Sequence, residues 1–215
     1  MGYVFGSVDY WNITTETQRK TPELSMLEIK RFTTRLVLVA ATVDHLRAEL
    51  VSPEQLGILL GTQVPQGWPP GEYDEGAQRY FLERLSQDGA DVVGWYGWYV
   101  LLRRGSHEVG PLIASGGFLG PPNETREVEI GYSVHHDWQG NGYATELVGE
   151  LVKYAFEDTR ARRIVAHTTR QNLASCRVLE HLGFCDSGFR SEPSTIQYEL
   201  IRGYVPASRA AHGNS

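Results

Sequence analysis

Cysteine is scarce in this chain, which has only Cys176 and Cys185 among its 215 residues. Neither belongs to a CxxC pair or has a histidine at zinc-ligand spacing, so the pattern predicts neither a disulfide framework nor a metal site. The expected location is therefore a reducing compartment, the cytoplasm.

Long apolar runs are also missing. No stretch approaches the ~20 apolar residues that span a bilayer. Residues 1–20 contain no basic segment followed by an apolar core, which is the pattern of a secretory signal. We expect neither a membrane protein nor a secreted one.

Basic charge is in deficit: 20 Lys and Arg residues stand against 26 Asp and Glu residues, a formal net charge of −6. Proteins that bind nucleic acid usually present a basic face to the phosphates, so this class is not expected. An acidic chain is suited to attracting a protonated amine, although charge alone does not identify that partner.

The length and the hydrophobic content, 215 residues and 41%, suit one sizeable core. We predict a single domain over residues 28–203, an N-terminal extension over residues 1–27 and a C-terminal tail over residues 204–215. Strand and helix patterns together indicate a mixed α/β fold. Predicted elements include a strand from Arg35 to Ala40, a helical region from Val43 to Leu60 with a break at Pro53, and a helix from Glu75 to Leu85.

The most informative segment is the loop from Gln139 to Ala144, with the sequence Gln-Gly-Asn-Gly-Tyr-Ala. Gly140 and Gly142 can adopt positive φ and let backbone N–H groups approach an anion. Before the loop, alternation from Glu127 to Val134 predicts a strand. After it, an apolar stripe at helical spacing predicts a helix: Ala144, Leu147, Val148, Leu151, Val152, Ala155 and Phe156. Strand, glycine loop and helix together suit a phosphate site.

Two other phosphate motifs fit these residues poorly. An NTP-binding P-loop ends in Gly-Lys-Ser/Thr, and residues 140–145 contain no lysine. A dinucleotide fingerprint needs glycine or alanine where Thr145 stands and a carboxylate in the next strand, which residues 163–167 do not supply. A simple tight turn between strand and helix remains the alternative for the loop taken alone.

Beyond the loop, the order and spacing of five stretches resemble the GNAT (GCN5-related) N-acetyltransferases from Thr34 to about Leu200, most closely the branch of ribosomal-protein N-terminal acetyltransferases. The matching stretches are residues 34–38, residues 129–132, the loop with Thr145 and Glu146, residues 172–175, and residues 178–184. The resemblance implies a mixed, mostly antiparallel sheet of about six to seven strands flanked by helices, with a coenzyme A cleft between splayed central strands.

The resemblance also implies acetyl-CoA as co-substrate. The pantetheine arm would follow the strand that ends at Val134, and Asn172 would contact it, cap a helix, or do both. The diphosphate would lie on the backbone of the loop, which assigns these residues to cofactor binding: Gln139, Gly140, Asn141, Gly142, Tyr143, Ala144 and Thr145.

Acetyl transfer to an amine needs a general base, because an amine is mostly protonated at neutral pH. Glu129 is our candidate, since the family often places a glutamate on this strand. Glu127 is the weaker alternative, and a solvated strand carboxylate is the structural interpretation of Glu129. By the same resemblance, the backbone N–H of Val134 stabilises the developing oxyanion.

The departing thiolate gains from a proton donor. Many family members use a tyrosine four residues before a Gly-Phe pair, but Leu179 occupies that position here. In the ribosomal-protein branch a serine is thought to serve instead, and Ser175 matches it. His167 could face the cleft from the next strand, although a hydrogen-bonded strand histidine is the simpler interpretation. Trp68 is either part of an acceptor wall or a core-capping aromatic.

The sequence thus predicts an acyl-CoA-dependent N-acyltransferase that acetylates a primary amine, either a protein N-terminus or a small amine, by direct attack. A catalytically weak coenzyme A sensor or interaction module is the alternative from another class, and a nucleotide-binding enzyme is disfavoured. We expect no nucleic-acid or membrane partner, and a monomer or a homodimer.

Overall fold

The computed structural model describes residues 28–203, except residues 72, 106, 107 and 191. The extension and the tail expected at residues 1–27 and 204–215 lie outside the described residues, and the domain boundaries stay a prediction. The strands are β1 (Lys30–Phe32), β2 (Leu36–Ala40), β3 (Gly97–Arg104), β4 (Glu108–Phe118), β5 (Glu127–Val134), β6 (Arg163–Thr169), β7 (Cys185–Asp186) and β8 (Thr195–Ile201). The α-helices are α1 (Val43–Val51), α2 (Pro53–Leu60), α3 (Glu75–Asp88), α4 (Tyr143–Glu157) and α5 (Leu173–Leu182).

The strands form one mixed sheet in the order β1-β2-β3-β4-β5-β6-β8-β7. Every neighbouring pair is antiparallel except β5 and β6, which run parallel. The predicted fold class is therefore confirmed. The sheet has eight strands where about six to seven were expected, and two of them, β1 and β7, span only three and two residues.

The two central strands, β5 and β6, separate in the middle of β5. From Glu127 to Glu129, β5 pairs with β6, and from Ile130 to Val134 it pairs with β4 alone. Beyond Glu129 the edge of β5 that faces β6 is therefore open, and a cleft begins there. This is the splay that the sequence resemblance implied.

Helices cover the sheet on both faces because the strands are apolar on both. On one face, α4 buries Leu147, Val148 and Leu151 against β5 residues such as Val128 and Ile130. On the other face, α1, α2 and α3 pack a second cluster against β2 and β3, contributing Leu46, Leu56, Phe81 and Leu85. Packing in these two cores holds β5 and the start of α4 in place.

The helical region after β2 breaks where the sequence predicts. Ser52 ends α1 in an extended conformation and caps α2 by accepting from the Gln55 N–H at 3.3 Å, and Pro53 follows at the first helical position. Proline suits this position because its missing N–H would be unpaired there in any case. None of the helices in the described part of the chain has the length and apolar character to cross a membrane.

Candidate active site

The loop before α4 has the backbone geometry of an anion site. Gly140 and Gly142 both have positive φ, 75° and 77°. Gly142 is the N-cap of α4 and supplies no side chain to the helix end. The Glu146 N–H donates to the Gly142 carbonyl at 3.2 Å and so opens the helical ladder. The N–H groups of residues 143–145 precede that ladder and point out of the helix end, where the dipole favours an anion.

Two side chains that the sequence assigned to cofactor binding shape the loop itself. Gln139 Nε2 donates to the Val134 carbonyl at 2.9 Å. Asn141 Nδ2 donates to the carbonyls of Trp138 and Gln139 at 3.2 and 3.0 Å. These bonds hold the turn between β5 and α4, so the loop offers mainly its backbone N–H groups to a ligand.

Sequence reasoning missed the side chains that tie this loop to β2. Arg35 Nη1 donates to the Asn141 carbonyl at 2.9 Å, Arg35 Nε donates to Glu146 Oε2 at 2.7 Å, and the guanidinium carbon lies 4.6 Å from the centre of the Tyr143 ring. Glu146 also accepts from Thr33 Oγ1 at 2.5 Å and from the Arg35 N–H at 2.8 Å. Burial opposes ionisation of the Glu146 carboxyl, but these hydrogen bonds outweigh it and lower its pKa. Arg35 and Glu146 lie within two of the stretches that resemble the family, and this was the sequence signal that could have identified them.

The open edge of β5 presents backbone donors to the cleft. The Glu129 carbonyl accepts from the Leu119 N–H at 3.0 Å, and the His135 N–H donates to the Ile113 carbonyl at 2.9 Å, so odd-numbered residues direct their backbone groups towards β4. By alternation, Val134 directs its N–H and carbonyl towards the cleft. Gln139 occupies that carbonyl, and the N–H stays directed at the cleft.

Glu129 lies at the point where β5 and β6 separate. Its side chain is 37% exposed, and its Oε1 lies 2.8 Å from Nδ1 of His167 on β6. Glu127, the weaker candidate for the base, is instead held by the guanidinium of Arg163, whose Nε donates to Glu127 Oε2 at 2.5 Å. Arg163 also pairs with Glu199 at 3.2 Å. Glu129 is thus the carboxylate that faces the cleft without an arginine partner among the described residues.

A directed chain of hydrogen bonds sets the tautomer of His167. The Phe189 N–H donates to Ser187 Oγ at 3.2 Å, which leaves the Ser187 hydroxyl proton for Gln197 Oε1 at 2.9 Å. Gln197 Nε2 then faces His167 Nε2 at 3.1 Å, and since an amide nitrogen only donates, that ring nitrogen accepts. The proton of a neutral His167 is therefore on Nδ1, directed at Glu129.

Ser175 and Asn172 lie together at the start of α5. Asn172 Oδ1 accepts from the Ser175 N–H at 3.1 Å, so Asn172 caps the helix. Ser175 Oγ lies 3.0 Å from the hydroxyl of Tyr132 on β5, a residue to which sequence reasoning gave no role. Burial raises the pKa of Tyr132, so its phenol stays protonated at neutral pH. Leu179 is fully buried in the core.

A cavity of about 220 Å³, here called the Gly131 cavity, is lined by Gly131, two residues beyond Glu129 on β5. Its floor is made by β4 and β5, and Gly131 shares the face of β5 on which Glu129 lies. Its described walls include Tyr73, Ala77, Phe81, Leu119 and Ser133. Trp68 is not among them. That side chain is buried and donates Nε1 to Glu49 Oε1 at 2.6 Å, which supports the core-capping interpretation.

Three metal-ligand side chains also meet just after β5. Ligand atoms of His135, His136 and Asp137 lie within 4.8 Å of one another. His135 is buried, its Nε2 lies 2.9 Å from the Gln66 carbonyl, and its Nδ1 accepts from the Asp137 N–H at 3.4 Å. Nε2 of His135 thus holds the loop before α3 against the end of β5, and Nδ1 caps the turn that follows the strand.

Comparisons of sequence and of structure match this chain to known proteins. A model of the acetyltransferase (GNAT) domain matches residues 35–185. The uncharacterized N-acetyltransferase YjdG of Bacillus subtilis (strain 168) is 30% identical over 152 residues, which are 71% of this chain and 87% of that protein.

Two solved structures share the fold at low sequence identity. Ribosomal-protein-S5-alanine acetyltransferase from Vibrio fischeri has a TM-score of 0.53 at 15% identity, covering 83% of this chain and 100% of that one. A spermidine N-acetyltransferase chimera of Vibrio cholerae SpeG and hSSAT has a TM-score of 0.51 at 16% identity, covering 77% of this chain and 95% of that one.

Proposed function

The chain belongs to the acetyltransferase (GNAT) family, and we propose that it transfers the acetyl group of acetyl-CoA directly to a primary amine in the cleft between β5 and β6. The observation that carries the proposal is the loss of pairing between these strands after Glu129. It leaves an open strand edge between a carboxylate and a loop suited to a diphosphate.

The glycine loop and α5 support the binding of acetyl-CoA, the acetyl donor. In the proposal the diphosphate accepts hydrogen bonds from backbone N–H groups of residues 140–145, the glycine loop and the first turn of α4. Pantetheine extends along the open edge of β5 towards Glu129, with Asn172 at its side. The expected assignment of these residues to cofactor binding stays a prediction.

Glu129 is the proposed base. It takes a proton from the ammonium group through water, because Glu129 and Val134 lie five residues apart on β5, roughly 16 Å at ~3.3 Å per residue. The free amine then attacks the thioester carbonyl carbon to form the new C–N bond. The carbonyl oxygen becomes an oxyanion, for which the Val134 N–H is the proposed donor. His167 holds one oxygen of Glu129, a contact that supports a fixed orientation of the base.

Collapse of the tetrahedral intermediate breaks the C–S bond and releases the coenzyme A thiolate, and the nitrogen loses its second proton to water to give the neutral amide. The proposed proton donor is Ser175, which shares its hydroxyl hydrogen bond with Tyr132. Sequence reasoning gave Tyr132 no role. Its protonated phenol suits it to return a proton to the Ser175 hydroxyl. Leu179 stands where many family members have a tyrosine, so a different residue must supply the proton if the protein is to protonate the thiolate.

The acceptor class is left open by the comparisons, since one structural relative is a ribosomal-protein-alanine acetyltransferase and another is a spermidine N-acetyltransferase. The proposal therefore includes both a protein N-terminus and a small amine. The cytoplasmic location, and the monomeric or homodimeric state, stay predictions.

Two measurements on the full chain test the proposal. Acetyl-CoA should raise Tm because it binds only the folded state, and thiol release from acetyl-CoA should depend on an added peptide or small amine. No change in Tm at millimolar acetyl-CoA would contradict a donor site. A raised Tm without thiol release for any amine would favour the coenzyme A sensor instead.

A further inference from the structure

The Gly131 cavity adjoins the proposed base at a distance that one amino acid side chain can span. Gly131 lies two residues beyond Glu129 on the same face of β5, about 7 Å along the strand at ~3.3 Å per residue. An amine held in the cleft between Glu129 and the Val134 N–H would therefore place the group attached to its α-carbon over Gly131.

The floor of the cavity is open because Gly131 has no side chain. A Cβ built on Gly131 meets no heavy atom within 4 Å, and this glycine does not have positive φ. Backbone conformation therefore does not require glycine here. A side chain at this position would instead occupy the space above β5 that the cavity leaves to a ligand.

The described walls are uncharged and mostly apolar, with Ser115 and Ser133 as polar members. Phe81 and Ala77 come from α3, Tyr73 precedes that helix, and Leu119 lies at the rim with 47% of its surface exposed. None of the described lining residues is acidic or basic. The Tyr73 hydroxyl is directed away to the buried carboxylate of Glu49 at 2.7 Å, so the ring is what Tyr73 offers to the cavity.

The size of the cavity and the lack of charge in its described lining together favour one class of acceptor amine. At about 220 Å³ the cavity is smaller than the ~300–1,000 Å³ of pockets for drug-sized ligands, so it suits one side chain rather than a long chain. Each further ammonium group of a polyamine would be desolvated there without a carboxylate partner among the described lining residues, which is costly. An aromatic or branched aliphatic group would bury apolar surface against Phe81, Tyr73 and Leu119.

We propose that the Gly131 cavity is a side-chain pocket that makes the enzyme selective for amines carrying an aromatic or branched aliphatic group on the α-carbon. Examples are a peptide chain whose first residue is large and apolar, and a derivative of a large apolar amino acid. This inference rests on the proposed acetyl transfer and names its acceptor. Glu129 takes the proton of the single ammonium group, and the apolar group fills the space over Gly131.

The test compares kcat/KM for phenylalaninamide, alaninamide and spermidine at saturating acetyl-CoA. We expect phenylalaninamide to exceed both others by roughly tenfold or more, the discrimination that an apolar pocket gives for a few buried carbons. Gly131→Val should lower the value for phenylalaninamide by roughly tenfold, and Gly131→Ala by less. Both variants should keep the Tm increase caused by acetyl-CoA.

Leu119→Ala provides a second probe at the exposed rim, in case valine at position 131 prevents folding. It should weaken the preference for phenylalaninamide over alaninamide, mainly through KM. Equal or better turnover of spermidine or alaninamide by the wild-type chain would overturn the pocket's selectivity while leaving acetyl transfer in place. If acetyl-CoA raises Tm but none of the amines is acetylated, the proposed function fails and this inference fails with it.

Discussion

The carboxylate of Glu129 has its two oxygens in different surroundings. Oε1 accepts from His167 at 2.8 Å, whereas no described residue donates to Oε2. A carboxylate anchored by one oxygen keeps a fixed direction, and its second oxygen is available to take a proton from an ammonium group. This asymmetry distinguishes Glu129 from Glu127, which Arg163 neutralises.

Glu129→Gln removes the proposed base and changes little else in size or shape. We expect kcat to fall by roughly 10²-fold or more, in line with typical general-base contributions, while acetyl-CoA still raises Tm. Glu127→Gln, on the same strand and face, is the matched control and should change kcat far less. Unchanged turnover by Glu129→Gln at every pH tested would remove this residue from the mechanism.

His167 acts through Glu129 and should affect kcat more than KM. His167→Ala frees the carboxylate, and we expect kcat to fall by roughly tenfold because small misplacements of a catalytic group are costly. His167→Asn keeps an N–H near the position of Nδ1 and should recover part of the loss. Steady-state kinetics of both variants checks this. Equal kcat for His167→Ala and the wild-type chain would mean that the contact is structural only.

Arg35, the residue that immediately precedes β2, joins the start of this strand to α4. One guanidinium reaches the Asn141 carbonyl, the Glu146 carboxylate and the ring of Tyr143. The strand therefore supports the loop from outside, so the loop is ordered by β2 as well as by its own glycines. Ordering before binding lowers the entropy lost when a ligand binds.

Arg35→Ala should weaken acetyl-CoA binding without removing the cleft. We expect Kd to rise by about tenfold, equivalent to ~1.4 kcal/mol, with a smaller change in kcat at saturating acetyl-CoA. Arg79→Ala, which removes an exposed pair with Glu75 on α3, is the control and should leave Kd unchanged. Calorimetric titration measures both, and equal affinities for Arg35→Ala and the wild-type chain would contradict support of the loop by β2.

Elements defined by local periodicity could be predicted, whereas contacts between elements could not. The alternation of residues 127–134 and the stripe from Ala144 to Phe156 predicted β5 and α4 with nearly their observed bounds. The pairs Glu129–His167 and Tyr132–Ser175 join residues 38 and 43 positions apart. No spacing rule connects such positions. The short strands β1 and β7 escaped prediction because two or three residues show no period.

At the scale of the whole molecule, a buried carboxylate links three segments behind the Gly131 cavity. Glu49 on α1 accepts hydrogen bonds from Trp68, Tyr73 and Tyr99, at 2.6, 2.7 and 2.6 Å. Burial is the largest influence on the Glu49 carboxyl and raises its pKa, although these donors oppose it. The helical layer is thereby fastened to β3 and to the loop that carries Tyr73.

The raised pKa of Glu49 gives stability a pH dependence of known sign. The folded state binds the proton more tightly than the unfolded chain, so this contribution is fully present below the ordinary value of 4.5 and is lost as pH rises through the raised value. We expect the free energy of unfolding of the wild-type chain, relative to Glu49→Gln, to fall as pH rises above about 4.5. Urea unfolding of both proteins across this range checks the sign, and a rising difference would contradict it.

We propose that acetyl transfer takes place where β5 and β6 separate. A crystal structure of the full chain with acetyl-CoA tests this location most directly. We predict the diphosphate on the N–H groups of residues 140–145, the thioester oxygen at the Val134 N–H, the sulfur near Ser175, and the acetyl group in the cleft between Val134 and Glu129. Acetyl-CoA bound elsewhere, or with its thioester remote from Glu129 and Val134, would contradict the account.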